Sequence, residues 1–155
     1  MSTAIQFSEN LIKGKIAETI FEQMFRNEGR YTILHFGYEH IVPELVKAGE
    51  RNGPTMEIIR RAPDFAVINQ DTGAVRLIEV KYSWRYDYDR VLDIAKKMKK
   101  SWNPSFLFIA TKSGFYFDDI NNIIKHEGKA SKLPIETISE KHQEMYLKLL
   151  KTYEQ

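Results

Sequence analysis

Two short runs decide how this chain is read: Pro63-Asp64, and the strand-like Ala74-Val75-Arg76-Leu77-Ile78-Glu79-Val80-Lys81-Tyr82, whose Glu79 follows Asp64 by fifteen residues. Successive side chains of a strand point to opposite faces. Glu79 and Lys81 therefore share a face with Val75 and Leu77, while Ile78, Val80 and Tyr82 take the other. Apolar residues on both faces predict a buried central strand. An acid and an amine beside one another at the end of such a strand are partly desolvated, at a cost of several kcal/mol per ion unless a partner compensates. A divalent cation held by Glu79 and Asp64, with Lys81 beside it, is a partner of the right kind. The pattern implies a metal-dependent phosphodiesterase site.

Just upstream, Asp64-Phe65-Ala66-Val67-Ile68 reads as another strand, and Asn69-Gln70-Asp71-Thr72-Gly73 between the two carries turn chemistry. The expected product is an antiparallel hairpin. In it the start of one strand lies across from the end of the next, so Asp64 comes within a few ångströms of Glu79 and Lys81.

Working outward, residues 8–27 have helical periodicity: Ile12, Ile16, Ile20 and Met24 recur at four-residue steps, widened by Ala17, Phe21 and Phe25. Ser8 is the expected N-cap and Gly29 the left-handed stop. Tyr31 to Val42 reads as a strand, Pro43–Asn52 as a short helix before Gly53-Pro54, and Met56–Ile59 as a short strand or edge segment. Val91, Ile94, Ala95 and Met98 predict a helix over Tyr86–Lys100. Ser105–Thr111 and Phe115–Phe117 read as strands around Lys112-Ser113-Gly114. Asp118 is expected to cap a short helix ended by Gly128, and Thr137 or Ser139 a last helix carrying Met145, Tyr146, Leu149 and Leu150. The order is α-β-β-β-α-β with extra C-terminal helices: an α/β class built on one central mixed sheet flanked by helices.

The 155 residues, with no repeat, linker or low-complexity tract, predict one domain spanning 1–155. Hydrophobic content of 43% and charged content of 28% are those of an ordinary globular protein. Cysteine is absent, which excludes disulfides and thiolate metal sites. No secretory pattern opens the chain and no apolar run approaches the roughly 20 residues of a membrane helix, so the expectation is a cytoplasmic protein with no membrane partner. A net charge of +2 says little. The bases cluster, however: Arg60-Arg61, then Lys96-Lys97 and Lys99-Lys100.

One more acid has a position worth testing. At about 100° per residue, with Ile12 at zero, the apolar stripe of the first helix runs round to Phe25 at about 220°, and Glu18 falls near 240°, at its border. Gly14, one turn earlier, leaves space beside it. Glu18 is either a surface residue paired with a neighbour on its own helix or an acid directed along the core edge toward the sheet end.

Taken together, Glu18, Pro63-Asp64 and Glu79-Val80-Lys81, in this order on these elements, resemble the PD-(D/E)XK nuclease superfamily, with its restriction-endonuclease-like core, over about residues 8–112. The run Lys13-Gly14-x-x-Ala17-Glu18 is similar to the opening helix of the small Holliday-junction resolvases of that superfamily. About twenty residues, roughly Pro43 to Ala62, separate the first strand from Asp64, a longer connection than the compact resolvases have. The resemblance implies a nuclease hydrolysing DNA phosphodiester bonds by attack of metal-activated water. It implies that Asp64, Glu79 and the Val80 carbonyl bind Mg²⁺ or Mn²⁺. Lys81 would orient or help deprotonate the attacking water and steady the phosphate, and Glu18 would hold a metal-bound water or a second ion.

Trp84 and Arg85, directly after Lys81, are candidates to stack on bases or grip phosphates, and Arg61, Lys97 and Lys100 to track a phosphate backbone. The alternative for the lysines is a solvated helix face. His35, His40, His126 and His142 show no metal-ligand spacing and read as structural. DNA is the expected partner. RNA cleavage, or an idle scaffold of the same fold binding nucleic acid or protein, are the competing readings. Paired cuts would need two sites, which makes a homodimer a candidate state.

Overall fold

A computed structural model describes residues 3–37 and 53–154. Among them are five helices and one five-stranded sheet: α1 (Thr3–Glu28), β1 (Tyr31–His35), α2 (Pro54–Arg60), β2 (Phe65–Asn69), β3 (Val75–Tyr82), α3 (Tyr88–Ser101), β4 (Phe106–Thr111), β5 (Gly114–Asp119), α4 (Ile120–Lys125) and α5 (Glu140–Thr152). The strands lie in chain order. All neighbours are antiparallel except β3 and β4, which run parallel. A parallel pair needs a crossover connection, and here that connection carries α3. The expected α/β class, with a mixed sheet between helices and further helices after it, is what the chain forms.

Each face of the sheet has its own core. On one, Ala17, Phe21, Met24 and Phe25 of α1 pack with Phe65 and Val67 of β2, Ile78 and Val80 of β3, and Phe108 of β4. The Phe21 ring lies 5.0 Å from both Phe65 and Phe108. On the other face, Val91, Ala95 and Met98 of α3 cover Leu107 and Ile109 of β4 together with Ile120 and Ile123 of α4. Strand β4 is thus covered on both sides. Helix α5 closes on α1 through buried Tyr146 and Leu150, the Tyr146 hydroxyl meets the Asn27 amide, and His142 Nδ1 lies 2.6 Å from Glu28 Oε2. No described helix is long and apolar enough to cross a membrane.

Several local expectations change. Helix α1 starts at Thr3, and Ser8 sits inside it, its hydroxyl donating to the Ala4 carbonyl at 3.0 Å rather than capping the helix. Ile12, expected to open the buried stripe, is 59% exposed: at about 100° per residue a four-residue step slips by about 40°, so Ile12 points away from the arc centred on Ala17 and Phe21 that the helix buries. Gly29 does stop the helix, with φ +80°. Met56–Ile59 belongs to α2, which Pro54 starts from a first-turn position where its missing N–H costs nothing. Val75 is 61% exposed, so the face it shares with Glu79 is open at that end of β3. The cap of α4 is Asp119, accepting from the Asn122 N–H at 2.8 Å; Asp118 instead accepts from the Ser131 N–H and hydroxyl. Ser139 caps α5, but Met145 and Leu149 face outward. The strand residues expected from Tyr38 on, His40 among them, and the helix expected over Pro43–Asn52 lie outside the described residues.

Phe21→Ala is expected to cost about 3–5 kcal/mol, read as a lowered urea midpoint at unchanged m-value. A loss below about 1 kcal/mol would mean that α1 is not anchored through this ring.

Candidate active site

The hairpin register assembles the site. Strand pairing runs Ile68↔Val75, Val67↔Arg76, Ala66↔Leu77, Phe65↔Ile78, and one step further brings Asp64 opposite Glu79. The turn that sets this register is held by the Asn69 side chain, which accepts from the Asp71 and Thr72 N–H groups, and by Gly73 at φ +75°. Asp64 is fixed twice. Its carbonyl accepts from the Phe36 and Gly37 N–H groups at 2.9 and 3.2 Å, and its side-chain Oδ2 accepts from the Val80 N–H at 2.8 Å.

Ile78 and Val80 belong to the core under α1. By alternation Glu79 and Lys81 lie on the α3 face of the sheet, and Asp64, just before β2, lies next to Glu79 at the strand end. Lys81 Nζ is 3.4 Å from Glu79 Oε2. Glu79 Oε1 is buried, and no donor among the described residues reaches it. A buried acceptor without a donor costs about 1–3 kcal/mol, more when charged. The Asp64 carboxyl is pushed up from an ordinary 3.8 to about 7, first by burial and then by the Glu79 charge; the Val80 N–H and Lys81 oppose the shift without reversing it. Near neutrality Asp64 holds a proton about half the time, and in that form it can donate to Glu79.

Two clefts meet at Lys81. One, of about 690 Å³, is lined by Glu18, Asp64, Val80, Lys81, Trp84 and Arg90, among others. The second, of about 430 Å³ on the α3 side, is lined by Arg60, Arg61, Glu79, Lys81 and Lys97. Glu18 lines the same cleft as Asp64, and Lys15 Nζ lies 3.6 Å from Glu18 Oε2. Trp84, Arg61 and Lys97 stand on cleft walls. Lys97 is already paired with Asp93 at 3.0 Å, and Glu57 engages both Arg60 at 2.8 Å and Arg61 at 3.9 Å. Arg85 and Lys100 are exposed and are not brought to either cleft.

Arg90 is a cleft residue that the sequence did not single out. It sits in the first turn of α3 and swings back so that Nη1 donates to the Tyr82 carbonyl at 2.9 Å. No short motif marks such a contact; only the position of α3 against the end of β3 creates it.

Among the described residues no three His, Asp or Glu side chains converge as a ready-made metal cage. Asp64 and Glu79 form a pair, and Glu18 looks onto it from the cleft wall. Two half-buried carboxylates, one with an oxygen that lacks a donor among the described residues, fit a hard divalent ion of the kind that is held by one or two carboxylates and keeps several of its waters. Compared with known proteins, the chain matches no family model and no curated sequence.

The raised Asp64 carboxyl fixes a sign. Its folded pKa of about 7 exceeds the ordinary 3.8, so Asp64 costs no stability below about pH 4, a growing amount between pH 4 and 7, and the full amount above that. In metal-free protein Asp64→Asn is expected to be neutral at pH 4 and to stabilise by about 2 kcal/mol or more at pH 8, each pK unit being worth ~1.4 kcal/mol. Thermal melts of both proteins in chelator across this range check it. A difference that does not grow with pH would mean that Asp64 is not electrostatically strained.

Proposed function

We propose that this chain is a divalent-metal-dependent nuclease of the PD-(D/E)XK kind, hydrolysing DNA phosphodiester bonds. The observation that carries the reading is the convergence of Asp64, Glu79 and Lys81 at the open end of the β2–β3 hairpin, with a Glu79 oxygen that no donor among the described residues satisfies. A purely structural site has no use for two half-buried acids that repel each other. An ion-binding site does.

Asp64 and Glu79, with the Val80 carbonyl, are the residues that would hold Mg²⁺ or Mn²⁺, and Glu18 would reach it through water. The ion, when bound, supplies Lewis-acid polarisation of the scissile phosphate and lowers the pKa of water. Lys81 donates hydrogen bonds at the point where the two clefts join, a position suited to steadying a non-bridging phosphate oxygen and orienting the attacking water. That water adds to phosphorus, the ester P–O bond breaks, and the leaving oxygen takes a proton. Substrate grip falls to Trp84 and Arg90 on one side of Lys81 and to Arg61 and Lys97 on the other. Ion pairs with Glu57 and Asp93 weaken that second grip and make it sensitive to salt.

Purified protein with Mg²⁺ or Mn²⁺ is expected to cut DNA. Asp64→Asn, Glu79→Gln and Lys81→Met should each lower the rate at least 100-fold with an unchanged circular dichroism spectrum. Activity that survives all three changes would sink the reading. Binding of DNA with no cleavage in either ion would make the chain a scaffold, and cleavage confined to ribo-substrates would move it to RNA.

A second measurement needs no turnover. Calorimetric titration with Mn²⁺ should show binding that disappears in Asp64→Asn and in Glu79→Gln, with more than one proton released per two ions at pH 6, where Asp64 is mostly protonated. Mn²⁺ binding that both variants retain would place the ion elsewhere.

A further inference from the structure

Resting on the nuclease reading and naming its substrate class, we infer that the site acts on unpaired nucleotides. The wider cleft takes a single-stranded segment, with one base stacked on Trp84, the strand passing Gly14 of α1, and the scissile phosphate at Lys81.

The two tryptophans of the chain are used differently. Trp102 is structural: its indole N–H donates to the Ile58 carbonyl at 2.7 Å, and its ring meets Phe36 edge-on with 5.5 Å between centroids. Trp84 has neither kind of partner among the described residues, although it is half-buried and lines the cleft that holds Asp64. A tryptophan placed for packing usually finds a partner for its N–H. An idle ring three residues after Lys81 is a platform for a base. Every base has a flat face, and such stacking is worth roughly 5- to 150-fold in affinity.

The α1 wall of the cleft is shaped to match. Asn10, Gly14 and Glu18 follow one another at four-residue steps, so they lie along one line of the helix, and all three border the cleft. Gly14 is the gap in that line. A Cβ added there would meet nothing within 4 Å, so no packing inside the protein calls for glycine. Nor is its backbone in the left-handed region that favours glycine. It nonetheless stands inside a helix of 26 residues, where only proline is a poorer choice. A broken local rule with no gain in packing marks a functional constraint. Here that constraint is close approach of a ligand to the helix backbone, from the cleft side.

Size and charge agree. At about 690 Å³ the cleft is of small-ligand dimensions, with room for one or two nucleotides. Within a duplex both faces of a base are covered by its neighbours, so a ring walled into such a cleft is reached by an unpaired base. Lys81 and Arg90 supply cations for the phosphates. Arg90 uses one N–H on the Tyr82 carbonyl, and its other guanidinium N–H groups have no partner among the described residues. The second cleft offers Arg61 and Lys97 but no aromatic ring. It grips phosphates and sets no condition on pairing, so the demand for an unpaired strand falls on one side of the scissile bond only.

Binding is measured ahead of turnover. Metal-free Asp64→Asn protein should bind a fluorescein-labelled single strand of about 12 nucleotides about 10-fold or more tighter than the blunt duplex of the same sequence, with quenching of indole emission. Trp84→Ala should weaken single-strand binding roughly 5- to 150-fold. Trp84→Phe, which keeps a flat ring, should retain most of the affinity and lose the quench. Gly14→Leu should raise the thermal midpoint by about 1–4 °C and lower single-strand affinity about 10-fold or more, a coupling that a merely structural glycine would not show. Equal affinity for the two DNAs, or undiminished single-strand affinity in Trp84→Ala or in Gly14→Leu, overturns the inference; metal-dependent cleavage of duplex by the wild type would then leave the nuclease reading standing. A single-strand preference that depends on both residues, in a chain that cleaves nothing in Mg²⁺ or Mn²⁺, would sink the nuclease reading and keep the slot for an unpaired strand.

Discussion

The antiparallel register between β2 and β3 is the constraint on which the molecule turns. A slip of one residue would exchange the faces of the whole strand. Phe65, Ile78 and Val80 would leave the aromatic core beneath α1, and Glu79 and Lys81 would enter it. Core and site are therefore specified by the same pairing. The apolar side of the hairpin holds its register because the polar side cannot be buried under Phe21 and Phe25, and the carboxylates keep their positions because the phenylalanines do.

That arrangement lets the fold tolerate an unfavourable cluster. Asp64 and Glu79 repel each other at the sheet end, and Glu79 Oε1 finds no donor among the described residues, yet their neighbours in sequence, Phe65, Ile78 and Val80, are fixed in a closely packed core with Phe21 and Phe108. Local conflict on a rigid base is what a binding site requires, and proteins commonly give up stability where they work. The paired bases at the second cleft follow a milder version of the same logic. Glu57 and Asp93 hold Arg61 and Lys97 in place while leaving them open to exchange for a stronger anion.

Most of the architecture was legible in the sequence because it rests on short-range patterns. Alternation in Val75–Tyr82, turn chemistry at Asn69–Gly73 and the Ile20–Phe21–Met24–Phe25 spacing each name an element and its buried face. What the sequence hid depends on where elements end relative to one another. Ile12 repeats in step with Ile16 and Ile20, but each four-residue step turns the side chain by about 40°, and only packing shows that the buried arc ends before Ile12 is reached. Met56–Ile59 is β-branched at two positions and looks strand-like, but Pro54 starts a helix there. Glu18 could be placed at the border of its stripe, though not in the same cleft as Asp64, and Arg90 carried no signal at all. The family resemblance supplied roles for residues whose proximity the register then accounts for.

The five-residue turn between β2 and β3 has a consequence for how the parts of the site come together. Entropy lost on closing a loop grows with the logarithm of its length. Asp64 and Glu79 are joined by a hairpin, so their meeting requires almost no search by the chain. Glu18 lies 46 positions before Asp64, and it reaches the pair only when the long helix docks across the sheet. The acids that repel are the ones that assemble locally, and the acid that faces them from the opposite wall arrives through the chain's long-distance contacts.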